Sequence, residues 1–210
     1  MLEFIDKGKP LVKSRFFEPA DPSKRDLSKR ENLFRGISRL ILSLARVPLD
    51  RIGSFTFNSN SGTISLTNRP LTCDHTIIEN DGAERVMDAD QTYETVESYI
   101  TDVLTLHDNR LRAQPNAVHD LQDCYSQMAI HLIMKAMSHQ YPDRALRRVP
   151  FRMQFSDLHQ GNLIVDDVWR ILAVIDLEWI CARSPQMIDI PHWVTSRSLD
   201  EIASPECSRE

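Results

Sequence analysis

Residues 151–185 read FRMQFSDLHQGNLIVDDVWRILAVIDLEWICARSP, and the folding of this stretch decides how the rest is understood. An apolar run ends in Ser156-Asp157, and a polar loop follows. Leu163-Ile164-Val165 makes a short strand, Asp166-Asp167 a turn, and Ile171 to Ile175 a second strand that delivers Asp176. Two short apolar runs around a two-Asp turn predict a β-hairpin, although no glycine marks the turn. The chemistry lies in what the hairpin carries. Asp157 opens the loop, Asn162 closes it five residues later, and Asp176 ends the returning strand. Two carboxylates and an amide oxygen at neighbouring strand ends suit a base plus a hard divalent cation. Mg²⁺ prefers oxygen ligands and keeps waters and substrate phosphates in its shell. The plainer reading is a hairpin whose Asx residues cap backbone groups.

The loop Asp157-Leu158-His159-Gln160-Gly161-Asn162 and the strand exit Ile175-Asp176-Leu177-Glu178 together resemble the catalytic half of the aminoglycoside phosphotransferase family. That family is the small-molecule branch of the protein-kinase-like fold. The resemblance implies an ATP- and Mg²⁺-dependent phosphotransferase acting on a small-molecule hydroxyl. In it Asp157 would orient the hydroxyl as base, Asn162 and Asp176 would hold Mg²⁺ on the nucleotide phosphates, and His159 and Gly161 would shape the loop. Where the family has His-Gly before the catalytic Asp, this chain has Phe155-Ser156.

The resemblance also orders the ends of the chain. Met1 to Gly8 is similar to the last N-lobe strand and the hinge, so Glu3 and Ile5 would meet the adenine through their backbone groups. The expected fold is α+β: a mainly helical kinase-like C-lobe with short β-hairpins, the catalytic-loop hairpin lying near 152–176. It would form one truncated domain over 1–210, beginning near the hinge, without an N-terminal lobe, and ending before the last C-terminal helices. The six glycines are isolated and no Val-Ala-Ile-Lys-like strand occurs, whereas the family cradles its triphosphate with such parts. This supports a second expectation, a catalytically inactive remnant (a pseudoenzyme or interaction module) whose bare N-lobe face takes a protein partner.

Composition narrows the classes. A length of 210 residues allows a sizeable core, and 41% hydrophobic with 26% charged residues is ordinary for a globular chain. A net charge of −5 gives no basic footprint for nucleic acid. No apolar run approaches a membrane span. Cys73, Cys124, Cys181 and Cys207 lack metal-ligand spacing and read as reduced thiols, which points to a cytoplasmic location.

Between the ends, Ser28 with Glu31 resembles a capping box opening a helix whose apolar set is Leu33, Ile37, Leu40, Ile41 and Leu44. Period-two runs at 54–57 and 63–66 flank turn formers and predict a hairpin. Thr72 to Asp90 reads as a long irregular loop. Helices are expected over about 92–111 and 119–140, packed through Val96, Tyr99, Ile100, Val103, Leu104 and His107 on one and Leu121, Cys124, Tyr125, Met128, Leu132 and Ala136 on the other. Arg144, Arg147 and Arg148 form a basic cluster that reads as a solvated face. By resemblance, 178–185 occupies the place of an activation segment. A further alternative gathers His75, His107-Asp108 and His131 as ligands of a metal-dependent phosphohydrolase, against which His107 falls on the apolar face of its helix.

Overall fold

The computed structural model describes residues 7–14, 16, 26–148 and 150–195. Glu3 and Ile5, and the helix expected from Ser198, lie outside the described residues. The chain is α+β, with four α-helices and two antiparallel sheets among the described residues. It divides into two compact units: the described parts of Met1–Ser43, Leu158–Leu177 and Asp189–Glu210 form the first, and Leu44–Asp157 with Glu178–Ile188 the second.

In the first unit, β1 (Lys9–Pro10), β6 (Leu163–Val165) and β7 (Ile171–Val174) make a three-stranded sheet in the order β1-β6-β7. The predicted hairpin is β6–β7, with Leu163 opposite Val174 and Ile164 opposite Ala173. Its turn closes without glycine because Asp166 supplies the missing bonds. The Asp166 carboxylate accepts from the N–H groups of Val168 at 3.0 Å and Arg170 at 2.8 Å. Trp169 then takes the left-handed conformation, at φ 60°. That conformation costs energy for a bulky residue, and burial of the indole offsets it. Trp169 lies 5.4 Å from the buried Phe16 ring, and Phe16 meets Trp193 edge-on at 5.7 Å. The Arg30 guanidinium sits 4.4 Å above Phe16.

Helix α1 (Leu27–Ala45) buries Arg30, Leu33 and Ile37, one per turn, as the apolar spacing requires. Its start differs from expectation. Asp26, not Ser28, receives the Lys29 N–H at 3.0 Å, leaving Ser28 inside the first turn and Glu31 paired with Arg35 at 2.5 Å. Gly36 lets α1 approach β7, since a Cβ there would lie 3.0 Å from the Ile171 side chain.

The second unit is built on a five-stranded sheet in the order β2-β5-β8-β3-β4, with β2 Pro48–Leu49, β3 Gly53–Asn58, β4 Thr63–Asn68, β5 Phe151–Phe155 and β8 Ile180–Arg183. Strands β3 and β4 form the predicted hairpin. Residues 180–183, assigned by resemblance to an activation segment, are instead the middle strand β8, paired with both β5 and β3. The core gathers Ile52, Met87, Tyr93, Val96, Tyr99 and Phe151. Gly53 is needed where β3 passes close to its neighbours. A Cβ there would stand 2.8 Å from the Asn68 carbonyl oxygen and 2.9 Å from Thr92 Cγ2. The carbonyl belongs to a paired strand and cannot yield cheaply. Gly53→Ala is therefore expected to cost about 1–3 kcal/mol, read as a lower urea midpoint at unchanged slope.

Two further corrections concern helices. The stretch read as a loop from Thr72 contains α2 (Cys73–Asn80), capped by the Thr72 hydroxyl, which accepts from the His75 N–H at 3.3 Å. Helix α3 (Val96–Ala113) buries Val96, Tyr99, Leu104 and Leu106. Helix α4 (Leu121–Met137) buries none of its residues, and Leu121, Met128 and Leu132, expected in the core, are 67%, 56% and 69% exposed. What joins α4 to α3 is polar: His131 Nδ1 lies 2.8 Å from Asp108 Oδ1, and Lys135 bonds the other oxygen of the same carboxylate. Lys135 and His131 hold Asp108 below the usual carboxylate range, against the opposing effect of burial.

Candidate functional site

Asn162 and Asp176 come together through the register of one hairpin. The Leu163–Val174 pair is the last of the β6–β7 ladder. One step beyond it, the Ile175 N–H donates to the Asn162 carbonyl at 3.0 Å. Asn162 thus closes the polar loop at the same end of the hairpin where Asp176 leaves β7. Asn162 is buried and Asp176 exposed. Asp176 adopts φ 56°, a left-handed conformation that Asp tolerates better than most residues and that tends to cluster at functional positions.

The loop itself is closed from within. The Gly161 N–H donates to His159 Nδ1 at 2.9 Å, and the Asn162 N–H to the His159 carbonyl at 3.1 Å. A Cβ on Gly161 would lie 2.5 Å from the His159 ring. Glycine is therefore what allows the imidazole to fold back on its own loop. Trp193 Nε1 donates to the Leu158 carbonyl at 2.7 Å and anchors the loop start in the first unit.

Asp157 belongs to the second unit, two residues beyond the end of β5. Before it, Ser156 donates twice to the Trp179 carbonyl, from its N–H at 3.1 Å and its hydroxyl at 3.0 Å. This bond fixes the end of β5 against the start of β8. Asp157 also lies near the start of α2: burial first, then the charges of Asp157 and Asp74, push the Cys73 thiol up.

The phosphohydrolase ligand set does not assemble. The His107 and His131 rings lie 5.9 Å apart, but His131 is engaged with Asp108. Among the described residues no group of three or more His, Cys, Asp or Glu could hold a metal ion. The basic cluster is partly spent on structure, since Arg147 Nε lies 2.8 Å from a Glu97 carboxylate oxygen and the Arg147 carbonyl accepts from the Val96 N–H. No helix among the described residues is long and apolar enough to cross a membrane. No family model, curated protein or solved structure matches the chain.

Proposed function

We propose that this chain is a kinase-like C-lobe that binds Mg²⁺–ATP and transfers its terminal phosphoryl group to a small-molecule hydroxyl. The observation that carries the reading is the hairpin end, where one backbone bond sets Asn162 beside the exit to Asp176. The donor set fits the ion: an amide oxygen and a carboxylate are hard ligands, and Mg²⁺ bound to a nucleotide needs only one or two protein carboxylates. Asn162 and Asp176 would hold the metal, which supplies neutralisation of phosphate charge when bound. By the resemblance described above, Asp157 would accept a hydrogen bond from the substrate hydroxyl and orient it. His159 and Gly161 would keep the loop in shape through their mutual bond.

Thermal unfolding tests this directly. At about a hundredfold excess over Kd, Mg²⁺–ATP should stabilise the chain by about 2.7 kcal/mol. For a chain of this length that corresponds to roughly 5–10 °C in Tm. Asp176→Asn, which removes the charge and keeps a side chain that tolerates the left-handed backbone, should remove most of the rise and leave the Tm of the unliganded protein close to that of the unaltered chain. ATP with EDTA should give no rise in either protein. A second reading, an interaction module without turnover, is favoured by α4, along which Leu121, Met128 and Leu132 stand exposed. No shift with Mg²⁺–ATP in the unaltered chain would overturn the first reading in favour of the second.

A further inference from the structure

The second unit contains a cavity of about 500 Å³ between α2, α3 and the end of β8, well inside the range that holds small organic ligands. Its polar lining comes from three elements: Asp74 and His75 of α2, Tyr99, His107 and Arg110 of α3, and Arg183 of β8. Apolar side chains share the lining, among them Ile100 and Val103 of α3 and Ile77 and Ile78 of α2. Two buried nitrogens at this cavity have no hydrogen-bond partner among the described residues, His75 Nδ1 and Arg183 Nε. His75 is 6% exposed. A buried polar nitrogen left unpaired costs about 1–3 kcal/mol, so stability alone does not explain the packing of this wall.

Arg183 stands on the middle strand of the sheet, where pairing with β5 fixes its backbone, and its positive charge acts on the buried Tyr99, which packs against Tyr93 and His75 at ring distances of 5.4 and 6.1 Å. A guanidinium on a rigid strand at the wall of a cavity is suited to an oxyanion. Arg110 adds a second positive charge, opposed among the lining residues by Asp74, which is exposed, and from outside the lining by Glu79, which acts on His75 and is itself gripped by Arg69. Together these features match an oxyanion head on an apolar body.

We propose that this cavity binds a small organic anion, a carboxylate or phosphate monoester with an apolar body. The guanidinium groups of Arg183 and Arg110 meet its oxygens, and Ile100 and Val103 cover its apolar part. The proposal does not depend on the phosphotransferase reading, because binding here needs neither nucleotide nor Mg²⁺.

Calorimetric titration of the full chain with benzoate and with phenyl phosphate, in EDTA and without nucleotide, tests it. Saturable binding of either probe is expected, and which one binds more tightly distinguishes a carboxylate from a phosphate ligand. Benzyl alcohol, with the same body and no charge, should bind at least about tenfold more weakly. Arg183→Lys, which keeps the charge and loses the fork, should weaken binding by about tenfold. Val103→Trp, which fills the cavity, should abolish it, and Asp176→Ala should leave it unchanged. Because Arg183 sits in a central strand, Arg110→Gln provides a second variant away from the sheet and should weaken binding of both anions. The proposal is overturned if neither anion saturates at millimolar concentration, if benzyl alcohol binds as well as they do, or if folded Arg110→Gln and Val103→Trp proteins bind like the unaltered chain.

Discussion

Glu79→Ala is expected to lower folding stability by about 3–5 kcal/mol, because it strands a charge that folding has buried. Arg69 grips Glu79 with both ends of its guanidinium, Nη1 to Oε1 at 2.5 Å and Nη2 to Oε2 at 2.7 Å. The two side chains are 8% and 9% exposed. Arg85 adds a more exposed contact at 3.3 Å. When the carboxylate is removed, Arg85 can turn to solvent, but Arg69 cannot do so without opening the structure. Its own N–H is bonded to the Ala89 carbonyl at 3.0 Å, which holds its backbone in place. The pair ties the last turn of α2 to the residue that follows β4, so the loss should also loosen the helix that carries His75. Urea unfolding of Glu79→Ala measures the cost. The double variant Arg69→Met with Glu79→Met should recover much of it, since well-packed apolar residues often replace a buried ion pair without loss. A single-variant loss below about 1 kcal/mol would show the pair to be no better than a surface contact.

The Glu79 half of that ion pair lies in a stretch whose sequence reads as loop. Helix α2 has only eight residues, about two turns, with Ile77 exposed and His75 and Ile78 buried. Two turns give too few apolar positions to show a helical period. The signal that was there is local: Thr72 as cap, followed by Asp74 in the first turn. Helix α1 and the hairpins β3–β4 and β6–β7 were legible because their apolar positions repeat over enough residues to fix a face. Helix α4 misleads in the other direction. Its apolar residues repeat at helical spacing, yet the contact it makes with α3 uses Asp108, His131 and Lys135. Periodicity reports which residues share a face and not whether anything covers it.

The candidate site was legible to the same extent. Asn162 comes just before β6 and Asp176 soon after β7, so both fall at the open end of one short hairpin and the pairing of its strands brings them together. Strand β8 is not legible in the sequence, because Ile180 to Arg183 is only four residues long and buries its two middle positions together, so it shows no alternation. With β8 misplaced, the cavity could not be foreseen, since its polar groups come from three elements far apart in the chain. The sequence shows no motif there, because the meeting of Arg183, Arg110 and His75 at one cavity depends only on tertiary packing.

Acid should destabilise the chain through that same cavity, well above the pH at which carboxylates titrate. Burial, then the charges of Arg183 and His107, bring His75 down from 6.5 to about 4, while Asp74 and Glu79 oppose the change. The unfolded chain accepts a proton on His75 near pH 6.5, and the folded chain refuses it until about pH 4. Stability is thus full above about pH 6.5, falls as the pH drops through that window, and stops falling once both states are protonated. At roughly 1.4 kcal/mol per pH unit the loss amounts to about 3 kcal/mol. His107, also lowered by burial and by His131 and Arg110, acts in the same direction. Asp108 does not interfere within this window, because a carboxylate held below its ordinary value loses its contribution only at lower pH. His75→Gln keeps a polar side chain of similar reach and removes the titration. Urea midpoints measured from pH 7 to pH 4 should fall steeply for the unaltered chain and much less for His75→Gln. Parallel slopes for the two proteins would mean that His75 accepts its proton in the folded state as readily as in the unfolded one.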